Sequence, residues 1–395
     1  MTSQSPLPIH DTVASEERGE SEAPGDQRPP RRKKRAPDEL GGPEIYWRDR
    51  QTWLQEKGYI LRPRYTSDWQ PSWKGTKKDW FDCEDAFPVT NPFLMDATRI
   101  SDKKVVMLKK IPQSVHPYEV EIGRFFSSEA LASDPRNHCV PIVEVFQDPF
   151  DVDILIVVMP LLRLHDEPPF ETVGEIVDFV QQIFEGLLFM HEHHVAHRDI
   201  MVLNVMMDPD PMFPHGFHPR FPDKTRDYRG RAKYYSRTEK PTRYYFIDFG
   251  HSRRYRKEDL PPQEMPIRGG DKTVPEFQGD GYDRPSNPFP TDVYYIGNLI
   301  RTCYLQEYIG LEFLDSLIAD MTHTGPDQRP SMADAVTRFE DIRRGVPAKV
   351  LRRRLVGREE NRLIRLILDA RHLVVSFGYL VRRLPAMPRA TAIRG

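Results

Sequence analysis

Three oxygen-bearing side chains stand beside short apolar runs: Asp199, Asn204 five residues later, and Asp248 directly after residues 244–247. Two carboxylates and a neutral amide oxygen suit a hard divalent cation such as Mg²⁺, which takes oxygen ligands and keeps several waters. A carboxylate on a loop can also accept or steer a proton. Such chemistry depends on position, and short strands predicted at 205–207 and 244–247 would hold these groups rigidly. Upstream, residues 104–109 read as a short buried strand ending in a cation, Lys109, with Lys103, Lys104 and Lys110 as alternatives.

His197-Arg198-Asp199 with Asn204, followed by Asp248-Phe249-Gly250, resembles the eukaryotic protein kinases, whose catalytic loop is H-R-D-x-x-x-x-N and whose metal motif is D-F-G. The resemblance covers about residues 95–342. It implies an α+β, bilobal fold with a small β-rich N-lobe and a larger helical C-lobe. It implies transfer of the γ-phosphate of ATP to a protein hydroxyl, Ser or Thr, with Mg²⁺. On this pattern Asp199 is the catalytic residue, and Asn204 and Asp248 hold the metal. Val106-Met107-Leu108-Lys109 resembles the V-A-I-K strand, making Lys109 the α/β-phosphate contact. The helix glutamate that pairs with it would be Glu121, with Glu119 the rival, and Met159-Pro160 would be the hinge beside adenine. Val274-Pro275-Glu276 resembles A-P-E, Arg329-Pro330 the late arginine that pairs with its glutamate, and Asp292 the buried aspartate under the catalytic loop. His197, packing near Phe249, and Arg198 complete the support. The Trp-rich start adds a resemblance to divergent kinase-like proteins of basidiomycete fungi.

The chain departs from that pattern in three places. No G-x-G-x-x-G precedes Lys109, because only Gly58 and Gly75 lie between Pro43 and Lys109. Met201 stands where Ser/Thr kinases carry a lysine touching the transferred phosphate, and Gly269 where they place a threonine. A pseudokinase that binds partners, and nucleotide without turnover, is therefore the alternative reading. A small-molecule phosphotransferase is a third, opposed by Arg198, Phe249-Gly250, residues 274–276 and Arg329.

The elements that must position these groups follow from pattern. Residues 153–159 form a β-branched apolar run bounded by Asp151 and Pro160, a buried strand. Thr172 and Glu175 make a capping box opening a helix to about His191, whose Ile176, Phe179, Val180, Ile183, Phe184, Leu187 and Leu188 fall on one face. Residues 116–131, 292–300 and 332–342 also read as helices. Strands first and helices later give an α+β class. We expect a disordered tail over 1–40, a kinase-like domain over 41–346 (N-lobe about 41–160, C-lobe about 161–346) and a basic extension over 347–395. An insert at about 209–242 mixes cations with Tyr228, Tyr234 and Tyr235, and reads as a mobile solvated loop, with binding of RNA or a phosphorylated partner as the alternative.

Composition bounds the rest. With 395 residues, 38% hydrophobic and 29% charged, the chain fits a soluble protein with polar extensions, and 37 prolines place much of it in tails and inserts. A net charge of −2 does not make a nucleic-acid trap, so nucleic acid is not an expected partner. Cys83, Cys139 and Cys303 are too few and too far apart for a disulfide framework or zinc site. His191, His193, His194 and His197 fail the H-E-x-x-H test, with Val195 at the fifth position. No signal peptide is read, and residues 363–381 carry too many charges to span a bilayer, so no integral membrane segment is expected. The expected location is intracellular, cytoplasmic or nuclear; the cation run at 31–35 reads as a solvated charge run, with a nuclear import signal or a phosphate-binding patch as the alternative. The basic amphipathic stretch at 351–384 is expected to pack on its own domain, with a partner- or membrane-surface helix as the alternative.

Overall fold

The structure, a computed structural model, describes residues 35–389 apart from Arg268. Residues 35–39 form a short turn in which Glu39 N donates to Ala36 O at 3.0 Å. The rest of the expected disordered tail, with Arg31 to Lys34 of the cation run, lies outside the described residues.

The architecture is α+β. Strands β1 (Tyr59–Leu61), β2 (Leu94–Arg99), β3 (Val105–Pro112), β4 (Glu144–Gln147) and β5 (Ile154–Pro160) form an antiparallel sheet in the order β1-β2-β3-β5-β4. Period-two alternation decides what each residue faces. Val106 and Leu108 of β3 point into a core with Met95, Ala97, Ile156 and Val158, closed by Trp47 of α1 (Gly42–Arg48) and Leu54 of α2 (Gln51–Glu56). Met107 and Lys109 therefore face the other way, into a cavity. The helix expected over 116–131 is two pieces, α3 (Glu119–Phe126) and α4 (Glu129–Ala132). Serines divide them: Ser128 Oγ donates to Phe125 O at 2.7 Å, and Ser127 Oγ accepts from Ile142 N at 2.8 Å.

Beyond β5 the chain is mostly helical. Helix α5 (Val173–Glu192) runs through the main core, with Ile176, Phe179, Val180, Phe184 and Leu187 fully buried. Each such side chain contributes about 1.5–3 kcal/mol of burial. Thr172 caps it, accepting from Glu175 N at 3.2 Å, but the expected box closes only halfway. The Glu175 carboxylate instead accepts from Glu171 N at 2.7 Å and from Thr238 N and Oγ1 at 2.9 and 2.8 Å. A small sheet joins β6 (Arg163–Leu164), β8 (Val205–Met207) and β9 (Tyr244–Phe246), and β7 (Val195–Ala196) pairs with β10 (Arg253–Arg254). Helices α6 (Pro288–Ile300), α7 (Asp315–Met321), α8 (Met332–Gly345), α9 (Ala348–Leu351) and α10 (Arg362–Val381) follow. Helix α6 starts before Asp292 because Asn287 caps Phe289 N at 3.1 Å and Pro288 fits its first turn. No helix among the described residues is long and apolar enough to cross a membrane.

The insert at 209–242 is packed, not a solvated loop. Met212, Phe213 and Phe217 join the main core. Arg237 is buried, donating to His165 O at 2.8 Å and lying 4.1 Å over the Phe170 ring. Its outer part grips the β1–β2 connection, residues 62–93. There Phe221 meets Phe87 at 4.6 Å, His218 Nε2 reaches Glu84 at 3.1 Å, and Tyr228 OH donates to Phe81 O at 3.3 Å. Arg226 donates to Thr98 Oγ1 at 2.8 Å, and Lys104 pairs with Asp210 at 2.9 Å. Apolar anchors inside a cation-rich stretch make this packing possible.

Candidate active site

The cavity, about 480 Å³, lies between β3–β5 and the loops before and after β8 and β9. Its apolar walls include Leu94, Met107, Val157, Met159, Met206 and Ile247, and its polar end gathers Lys109, Glu119, Asp199 and Asp248. Lys109 Nζ lies 2.5 Å from Glu119 Oε1 and 3.0 Å from Asp248 Oδ1. Of the neighbouring lysines, Lys110 turns to the Tyr46 ring at 4.1 Å and Lys104 pairs with Asp210, so neither shares this contact.

Glu121 does not reach the site. On α3 it lies two residues from Glu119, about 200° around the helix. The helix buries Glu119, Val120, Ile122, Gly123 and Phe126 and leaves Glu121 in solvent. The expected partner of Lys109 is thus corrected from Glu121 to Glu119.

Charges at this end are tightly linked. Burial opposes the charge on Lys109, but the Glu119 and Asp248 carboxylates outweigh it and raise its pKa. Burial pushes the Glu119 carboxyl up, against the pull of Lys109. For Asp248 burial acts upward too, yet the Lys109 ammonium and the Gly250 amide leave its carboxyl below the ordinary range. Asp248 therefore stays ionised. It adopts a left-handed backbone, φ 64°, between β9 and the turn at Phe249.

Across the cavity the loop after β7 is fixed from beneath. Buried Asp292 accepts from His197 N and Arg198 N, both at 2.7 Å, and His191 Nε2 lies 3.2 Å from it. His197 Nε2 meets Ile247 O at 3.1 Å while its Nδ1 accepts from Asp199 N at 3.3 Å, which fixes the proton on Nε2. Its ring lies 5.8 Å from that of Phe249. Arg198 donates to His251 O and Met265 O at 3.2 and 2.7 Å. Asn204 Nδ2 donates to Asp199 O and Oδ2 at 2.8 and 3.0 Å, leaving its amide oxygen for another partner.

Asp199 Oδ1 is buried without a hydrogen bond. Burial raises the Asp199 pKa; His197 and His251 pull it down and Asp248 adds to the rise. Such a carboxylate, with one oxygen held and one unpartnered, is poised to accept a proton. Gly270, φ 56°, abuts it: a Cβ there would fall 2.2 Å from Oδ1. Only glycine fits this approach. Further out, Arg329 forms a two-pronged pair with Glu276 at 2.8 and 2.6 Å, and Thr291 Oγ1 donates to the same carboxylate at 2.7 Å.

Sequence reading missed Gly270 and two histidines. His116 and His251 line the cavity, and His116 Nδ1 lies 3.2 Å from Gly250 O. Burial lowers the His251 pKa, while Asp199 draws it back. The position of His251 right after Asp248-Phe249-Gly250 was an available signal; His116 offered none.

No protein-family model matches the chain. A 75-residue stretch is 33% identical to a light-sensor protein kinase of Ceratodon purpureus. That stretch is 18% of this chain and 5% of the relative, so most of the relative has no counterpart in the match. The similarity is confined to that short segment.

Proposed function

We propose that the chain is a protein kinase of bilobal fold that transfers the γ-phosphate of ATP to a serine or threonine hydroxyl of a protein. One observation carries this reading: Lys109, Glu119 and Asp248 converge at the polar end of an apolar cavity that also holds Asp199, whose carboxylate accepts from Asn204 Nδ2. The apolar walls suit a flat base, and Lys109 offers a cation to phosphate oxygens. Ionised Asp248 and the free amide oxygen of Asn204 fit a Mg²⁺ ion, which when bound supplies charge neutralisation to the phosphates. Asp199 Oδ1 orients the acceptor hydroxyl and takes its proton, while Asn204 holds the other carboxylate oxygen still.

A pseudokinase is the second reading, favoured by Gly270 against Asp199 and by Met201 in place of a lysine. The test is phosphate transfer by the purified chain with Mg-ATP over a broad peptide panel, against Asp199→Asn. A slow activity lost by at least a hundredfold in the variant is expected, since the proton acceptor contributes about that much. Equal background transfer by both proteins would give the second reading the field.

A further inference from the structure

Helix α10 lies on the body by its polar side. Tyr379 OH donates to Ser236 Oγ at 2.7 Å and to Glu171 at 3.2 Å, His372 Nε2 lies 2.8 Å from Arg352 O, and Asp369 pairs with Arg354 at 2.8 Å. Its apolar residues turn outward: Leu363, Leu366, Ile367, Leu373, Val374 and Phe377 are 61–74% exposed. A helix that serves only its own core shows the reverse orientation, and a continuous apolar face of this kind marks an interaction surface. Packing of this stretch into its own domain, as its pattern suggested, is therefore incomplete.

Charge identifies the occupant. Residues 361–383 hold five arginines and one aspartate, and that aspartate is engaged by Arg354. At 100° per residue, Arg362 borders the apolar arc on one side and Arg371 on the other, while Arg365 falls among the body-facing polar residues, 3.9 Å from Asp369. Arg362 and Arg371 are exposed, and their long stems can lie along the arc with the charges at its rim. A second copy laid on this face would bring arginine against arginine on both flanks, with no acid to answer them. We propose that α10 docks the protein onto an anionic lipid bilayer, lying in the plane of the headgroups with its apolar arc inserted. The rim arginines meet lipid phosphates and carboxylates, each adding about 1 kcal/mol near such a surface. This proposal is independent of the catalytic reading.

The test is flotation of the full chain with vesicles of phosphatidylcholine alone and with about one-third phosphatidylserine, at low and high salt. Binding to the anionic vesicles only, weakened by salt, is expected. Arg362→Gln with Arg371→Gln should lower partitioning roughly tenfold or more, and Leu366→Ser with Phe377→Ser should abolish it. If the apolar pair lowers the melting temperature, the arginine pair carries the same test alone. Absence of binding to anionic vesicles, or binding indifferent to both pairs, overturns the proposal. So does a dimer in light scattering that the apolar pair splits while vesicles are ignored, because a second copy then covers the face.

Discussion

Lys109 holds two carboxylates at once, and they differ in duty. Glu119 comes from a helix and fixes where the ammonium stands, whereas Asp248 comes from the turn after β9 and sets its distance to the far side of the cavity. Loss of a charge-assisted contact is worth about 1.5–3 kcal/mol. Glu119→Ala should therefore lower phosphotransfer kcat/KM by roughly tenfold to a hundredfold, while Glu121→Ala, in solvent, leaves it unchanged. Steady-state kinetics on the two variants checks this, and equal losses would return Glu121 to the site. At Asp199, Asn204 takes one carboxylate oxygen, and Gly270 lies against the other.

At the scale of elements, α5 and β9 meet through His138. The imidazole is buried, its Nδ1 2.8 Å from Tyr244 O, and Gly186 of α5 passes so close that a Cβ there would sit 2.5 Å from His138 Cβ. Burial, with the Arg243 charge in support, pushes its pKa from 6.5 down to about 3. The folded protein thus refuses a proton that the unfolded chain accepts below pH 6.5. Stability present above that pH is lost as the pH falls from 6.5 toward 3, at about 1.4 kcal/mol per pH unit for one proton. His138→Gln should remove that share of the slope. Urea unfolding of both proteins between pH 6.5 and 5, above most carboxylate titration, measures the difference. Parallel slopes would show that His138 protonates in the folded state.

For the molecule as a whole, the insert is a fastening. Its inner part lies in the main core with α5, and its outer part grips the β1–β2 connection through Phe221, His218 and Tyr228. Through these contacts the insert ties the β1–β2 connection to the helical portion. Phe213→Ala should cost about 3–5 kcal/mol, as for a core phenylalanine; denaturant midpoints read this directly. A loop that merely trailed in water would leave the midpoint where it was.

The sequence alone placed Asp199, Asn204 and Asp248, the α+β order, the buried β5 run and the α5 face, because each depends on local pattern: a run, a period, or a residue beside a strand. It favoured Lys109 among four lysines by its resemblance to the V-A-I-K strand, with the other three as alternatives. Tertiary structure chose, since strand alternation sends Lys109 to the cavity face and helix phase turns Glu119 toward it and Glu121 away. The insert was misread for a related reason. Its many cations and prolines suggested solvent, but whether Phe213 and Phe217 find a core is decided by residues far along the chain, Phe170 and Tyr244 among that core. The exposed face of α10 is the converse case. Its amphipathic pattern was legible, but only the hydrogen bonds of Tyr379 and His372 to the body determine which side faces out. Periodicity fixes what shares a face; long-range contacts fix what that face meets.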